Sequence, residues 1–109
     1  MPGRTKSEKS SLRIEQSEKY EGEDWWSWSV WVDGPKRDLD AVDLVEYTLH
    51  HTFRDPVRTV RTRHNGFKLE NEGWGVFPIY ARVCKKDKSV IRLKHQLKLT
   101  YPDGKPNLK

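Results

Sequence analysis

The chain has 109 residues, with 21 lysines and arginines against 16 aspartates and glutamates, a net charge of +5 and a mean hydropathy of −0.95. That length suits one domain around a single packed core, and no apolar run approaches the roughly 20 residues a membrane-spanning helix needs. The single cysteine, Cys84, excludes an internal disulfide, and Met1 to Ser11 lacks the apolar centre of a secretory signal, so the cytosol, or the nucleus for a eukaryotic source, is expected.

Residues 1–11 mix Pro, Gly, Ser, Lys and Arg without periodicity and read as a flexible polar tail. Leu12 to Tyr20 is a weak first strand. Trp26, Trp28, Val30 and Val32 fall at period two with Ser27, Ser29 and Trp31 opposite them, a strong strand ended by Asp33-Gly34-Pro35. Lys36 to Asp40 reads as a charged loop. Val45, Tyr47 and Leu49 alternate with Glu46 and Thr48 and form a third strand, broken at Arg54-Asp55-Pro56. Arg58 to Arg63 reads as a short strand whose hairpin partner begins at Phe67 and Leu69, because Asn65-Gly66 between them is a tight-turn signal. Phe77, Ile79, Ala81 and Val83 share one strand face. Ile91, Leu93, His95, Leu97 and Leu99 share another, and Pro102-Asp103-Gly104 closes the domain, leaving 103–109 as a C-terminal tail. Seven or eight short strands with turn signals every 8–12 residues predict an all-β antiparallel β-sandwich over residues 12–102.

Charge is unevenly spread. Residues 1–53 carry 7 basic and 11 acidic side chains, and residues 54–109 carry 14 and 5. The stripe Arg92, Lys94 and Lys98, with Lys85, Lys86 and Lys88, would attract an anion, but it lacks any nucleic-acid motif and reads as the wet face of a sheet. Neither a nucleophile elbow, a phosphate loop, a Cys/His metal spacing nor a carboxylate pair is present, so no enzyme, metal or cofactor is expected. His50 and His51 are adjacent and in extended chain face opposite sides, which argues against a shared metal.

Two clusters about two dozen residues apart carry the candidate chemistry. The first offers His50, Thr52 and Phe53. The second, Gly73-Trp74-Gly75-Val76-Phe77, lifts an indole between two glycines, which let the backbone turn tightly and leave its amides open. Together they would form an aromatic slot for a flat, neutral, amide-bearing ligand. Trp74 is otherwise a plug over the sandwich end, and Phe53 otherwise a core residue stapling its loop. His50 would orient the Thr52 hydroxyl. Trp25 and Trp31 form an exposed platform or pack against the N-terminal segment.

Leu49-His50-His51-Thr52-Phe53, the following Pro56-Val57-Arg58, the Gly-Trp-Gly-x-Phe run ending at Phe77, and Trp28 to Pro35 together resemble the YEATS domain, over roughly Trp25 to Tyr101. The compact form resembles the prokaryotic branch more than the nuclear one. The resemblance implies an immunoglobulin-like sandwich with a ligand pocket at one end, where well-studied members accept acetylated or crotonylated lysine. By position His50, Thr52 and Phe53 would supply one wall and Gly73, Trp74, Gly75 and Phe77 the other, with Thr52 in place of a serine that bonds the acyl amide. Asp24 or Trp25 stands where many nuclear members have a further aromatic. The implied partner is an acyl-lysine-bearing protein or peptide. The alternatives are a protein–protein or signalling adaptor on the same fold, and an aromatic carbohydrate-binding sandwich.

Overall fold

Alternation along the second strand builds the core. In the computed structural model, which describes residues 11–109, Trp26, Trp28, Val30 and Val32 all point inward and are no more than 3% exposed. They lie on β2 (Trp25–Asp33), which pairs antiparallel with β1 (Arg13–Gly22) and with β5 (Leu69–Gly73) in a three-stranded sheet ordered β1-β2-β5. The facing sheet is ordered β4-β3-β6-β7, from β3 (Val42–Thr48), β4 (Val57–Val60), β6 (Pro78–Lys85) and β7 (Val90–Gln96). Val45, Tyr47, Ile79, Ala81 and Val83 from this sheet meet the β2 residues in one core. The result is an immunoglobulin-like antiparallel β-sandwich. The expected tail over 1–11 lies outside the described residues except for Ser11.

Three local expectations change. Lys36–Asp40 is a short helix, α1, rather than a loop, and turns Leu39 inward to the core. The strand ending at Arg63 stops at Val60 and pairs with β3, not with β5, so Asn65-Gly66 is not a hairpin turn. It instead belongs to α2 (His64–Phe67), a single turn that carries the chain from one sheet to the other with left-handed backbone at Asn65, Gly66 and Phe67. The dihedrals favoured by Asn-Gly are present, but Phe67 drops into the core and its carbonyl accepts the buried Tyr47 hydroxyl at 2.8 Å. Burial pushes the Tyr47 phenol well above its ordinary range, so it stays a hydrogen-bond donor.

The third change is at the last strand. β7 ends at Gln96, before Leu97 and Leu99, and lies at the sheet edge, where Ile91, Leu93 and His95 are only half-buried. Gln16 of β1 ties this edge to the other sheet. Its Oε1 accepts from Lys98 N–H at 3.0 Å and stands 2.7 Å from His95 Nε2, and its Nε2 donates to the Lys98 carbonyl. Because Oε1 is an acceptor here, His95 is held as the donor at Nε2.

Burial holds His95 below the ordinary histidine range, with Glu15 opposing and Lys98 reinforcing the shift. The unfolded chain therefore binds the proton more readily than the folded one. The stability from this site is fully present above the ordinary value of 6.5 and is lost as pH falls through it. Between about pH 7.5 and 5.5, the melting temperature of wild type should fall more steeply than that of His95→Gln, which keeps a donor but no titrating group. Parallel curves would remove His95 from the acid response.

Candidate functional site

Two loops at one end of the sandwich meet. After β3, Leu49 N–H donates to the Pro56 carbonyl at 2.8 Å and Phe53 N–H to the His50 carbonyl at 3.0 Å, closing a turn over His50–Phe53. Arg58 of β4 braces this loop from outside, its guanidinium donating to the carbonyls of Arg54 and Asp55. The turn brings the His50 and His51 rings edge to face at 4.3 Å, so the extended-chain reading that separated them does not hold. Among the described residues, no three His, Cys, Asp or Glu side chains gather into a metal-binding group.

Inside the turn, His50 Nδ1 lies 2.8 Å from Thr52 Oγ1, and the Thr52 backbone N–H points at the same nitrogen at 3.3 Å. An N–H aimed at Nδ1 makes that nitrogen an acceptor. The hydroxyl proton of Thr52 must then also point toward His50, leaving the oxygen lone pairs facing outward. Phe53 packs at the base of the loop, with its ring 5.3 Å from Phe77 and edge-on to Trp28 at 6.4 Å. It belongs to the core margin and to the site at once.

The second loop follows β5. Gly73 and Gly75 do not adopt left-handed backbone, contrary to the tight turn expected of them. A Cβ on Gly73 would meet Phe53 Cζ at 3.9 Å, and one on Gly75 would meet nothing within 4 Å. At Gly73 the missing side chain leaves the Phe53 ring edge open, while Gly75 faces open space. Trp74 between them is 55% exposed and is no core plug. Its carbonyl accepts a hydrogen bond from the buried Asn107 side chain. Residues 103–109, expected as a tail, thus return to the fold, with Asn107 N–H on the Leu99 carbonyl at 2.8 Å.

These pieces enclose a cleft of about 360 Å³, and all seven residues predicted from sequence, His50, Thr52, Phe53, Gly73, Trp74, Gly75 and Phe77, line it. Trp25, Glu72, Val76 and Lys109 complete the lining.

A family profile described as the prokaryotic YEATS domain matches residues 26–98. The chain belongs to this family. Among relatives of the YEATS domain, the AF-9 homolog of Saccharomyces cerevisiae is 30% identical over 86 residues, 73% of this chain and 37% of that one. Transcription initiation factor TFIID subunit 14 of Schizosaccharomyces pombe is 38% identical over 55 residues, 50% of this chain and 22% of that one. The chain spans less than half the length of these relatives. Among solved structures, the Yaf9 YEATS domain recognising an H3K122suc peptide is 26% identical with a TM-score of 0.60, covering 81% of this chain and 68% of that one. The Yaf9 YEATS domain bound to H3K27ac shares the fold at 23% identity with a TM-score of 0.63, covering 83% of this chain and 74% of that one.

Sequence reading missed Trp25 as a wall of the YEATS cleft. Its indole N–H donates to Glu72 Oε1 at 2.8 Å, across the β2–β5 pair, which holds it at the cleft mouth. The signal was available: Trp25 and Trp26 are neighbours on a strand, so one must face outward when the other is buried. Asn107 acts from 33 residues along the chain and left no local signal, whereas Arg58 lies only three and four residues from the carbonyls it holds. On the basic face, part of the charge is engaged internally, with Arg82 paired to Glu46 at 3.2 Å and Lys94 standing over the Tyr80 ring at 5.8 Å. No helix among the described residues is long and apolar enough to cross a membrane.

Proposed function

We propose that this YEATS domain is a non-enzymatic reader of acylated lysine, of the acetyl or crotonyl type, on a partner protein or peptide. The observation that carries the reading is the exposed Trp74 indole on a cleft whose other wall is Phe53 and Phe77, with an oriented Thr52 hydroxyl beside them. The acyl group lies between Phe53 and Trp74. Its amide N–H donates to the outward lone pairs of Thr52. Its carbonyl meets a backbone N–H of the Trp74 loop: the Trp74 carbonyl is held on the Asn107 side, and in a trans peptide the Gly75 N–H points the opposite way. Unmodified lysine is disfavoured, since its ammonium would lose water against the Phe53 and Trp74 rings, with Glu72, on the Trp25 indole, as the one carboxylate side chain in the lining. The Yaf9 domains solved with H3K122suc and H3K27ac support the reading by kinship.

Titration with crotonyl-, butyryl- and unmodified-lysine peptides, followed by tryptophan fluorescence, tests the reader role. Crotonyl-lysine should bind best, because a planar π system stacks on the two rings and a puckered chain gains less. Equal affinity for crotonyl and butyryl would mean that apolar area alone is recognised. No binding by any acylated peptide would leave the adaptor alternative. The carbohydrate alternative needs a flat exposed tryptophan row, whereas Trp26 and Trp28 are buried and Trp31 is half-buried.

Thr52 separates polar from packing roles. Thr52→Val keeps the shape and removes the acceptor, while Thr52→Ser keeps the acceptor and removes the methyl. A buried amide N–H without an acceptor forfeits about 1–3 kcal/mol, so Val should weaken acyl-lysine binding about tenfold or more and Ser should stay near wild type. A Val variant that binds like wild type would remove Thr52 from the site.

A further inference from the structure

Four strand edges bound the sandwich, β1 and β5 in one sheet and β4 and β7 in the other. The β1 and β7 sides are tied together: Gln16 holds both backbone groups of Lys98, and Glu18 accepts the Thr100 N–H at 2.7 Å and its hydroxyl at 2.6 Å. The outer edge of β4 pairs with no strand among the described residues. We propose that this edge docks an extended acidic segment of a partner protein, which joins the four-stranded sheet as an antiparallel fifth strand. It lies apart from the reader cleft, since Val57, Thr59 and Arg61 do not line that space.

The ladder leaves free the main-chain groups that an added strand needs. Leu49 N–H donates to the Pro56 carbonyl, which makes these two a hydrogen-bonded pair. Such pairs alternate along antiparallel strands, so Tyr47 with Arg58 and Val45 with Val60 are also hydrogen-bonded. Val57 and Thr59, opposite Thr48 and Glu46, fall between them. Their N–H and C=O groups therefore point away from β3, and none has a partner among the described residues. The register carries no bulge that would twist the edge out of use. Val57 is 50% exposed and offers apolar contact to the residue opposite. Main-chain bonds of this kind supply affinity in strand addition, and side chains supply specificity.

Charge selects the occupant. Arg61 directly follows β4 and Arg54 precedes it, both exposed and neither ion-paired among the described residues. The arginines nearby are engaged, Arg58 on the carbonyls of Arg54 and Asp55 and Arg63 on Asp40 at 2.9 Å. Cations at both ends of an open edge repel a basic strand, including another β4, and attract an acidic one. β5, the edge opposite β1, carries Glu70 and Glu72, so an acidic segment is directed to β4.

The register also dictates a probe. In an antiparallel partner the residues opposite Val57 and Thr59 are two apart, with acidic residues two further out toward Arg54 and Arg61. The blocked peptide acetyl-Glu-Thr-Val-Thr-Val-Thr-Glu-amide has this pattern. Its titration should shift the amide resonances of Val57 and Thr59 and slow their hydrogen exchange more than that of Arg58 and Val60, whose amides already face β3. Methylating the two valine amides, which face β4, should weaken binding at least tenfold, as should lysine in place of both glutamates at low salt. Thr59→Pro removes an outward N–H and no bond to β3, so it should cost about tenfold. Arg61→Glu, which leaves the backbone intact, should weaken the glutamate peptide and strengthen the lysine one.

Absence of binding, equal binding of the glutamate and lysine peptides, or undiminished binding of the methylated peptide would overturn the docking edge. So would shifts confined to Arg82, Arg92 and Lys94, which would mean that charge alone holds the peptide on the sheet face. The same Val57 and Thr59 shifts on concentrating the protein without peptide would assign the edge to a second copy and overturn the partner. No peptide here carries acylated lysine, so the reader function is tested separately.

Discussion

Trp74→Ala is expected to weaken acyl-lysine binding roughly 30- to 150-fold while leaving the melting temperature close to that of wild type. The indole is more than half exposed, so its removal opens no core cavity, and surface truncations of this kind change stability by less than about 1 kcal/mol. The loop should keep its place, because its anchor to Asn107 runs through the Trp74 backbone carbonyl, which alanine retains. Binding loses one of the two aromatic walls. Stacking worth about 0.5–1.5 kcal/mol, together with lost apolar contact at about 25 cal/mol per Å², amounts to about 2–3 kcal/mol, or roughly 30- to 150-fold in Kd. Trp74→Phe, which keeps a ring, should recover much of it. Wild-type affinity in the alanine variant would remove Trp74 from the site. A drop in stability of about 3–5 kcal/mol, the cost of deleting a buried large aromatic, would return it to the core.

The largest effect on stability is expected at Gly66. A Cβ there would stand 2.3 Å from the Val32 carbonyl oxygen and 3.4 Å from the Trp31 side chain, on backbone with φ of +73°. Left-handed backbone costs a residue with a Cβ about 1–2 kcal/mol, and forcing an atom into a filled space costs about 1–3 kcal/mol more. Gly66→Ala should therefore lose about 2–5 kcal/mol, a large share of the roughly 5–15 kcal/mol that holds a domain together. Asn65 also has positive φ but is exposed, so Asn65→Ala should meet only the dihedral cost. Urea unfolding of the two variants separates the close packing of the sheet-to-sheet crossing from the turn geometry alone. Equal losses would mean that Gly66 serves only its dihedral angles.

Most strands, and most of the residues that line the cleft, were legible in the sequence, for physical reasons that differ. Strand faces were legible because burial on one side writes period two directly into the chain, as at Trp26, Trp28, Val30 and Val32. The two site clusters were legible because a family motif joined them, although nothing in local pattern says that His50 and Trp74 meet. Asn65-Gly66 was legible as a pair of left-handed residues but not as a crossing. Turn chemistry reports backbone angles, while the partner of each flanking strand is set by where Phe67 finds its place in the core, under the Tyr47 hydroxyl.

The sequence by itself determined the all-β class, the buried face of each central strand, and which residue types could make an aromatic slot. Tertiary structure alone decided that β4 and β5 lie in different sheets, that Gly73 and Gly75 lack left-handed backbone, and that the Trp25 indole is tied to Glu72 at the cleft. It also decided that Asn107 anchors the second loop. The division has one cause. Local periodicity records what a residue does relative to its neighbours in the chain. A cleft is made of contacts between residues far apart in sequence, such as Asn107 on Trp74, and these exist only once the two sheets have packed.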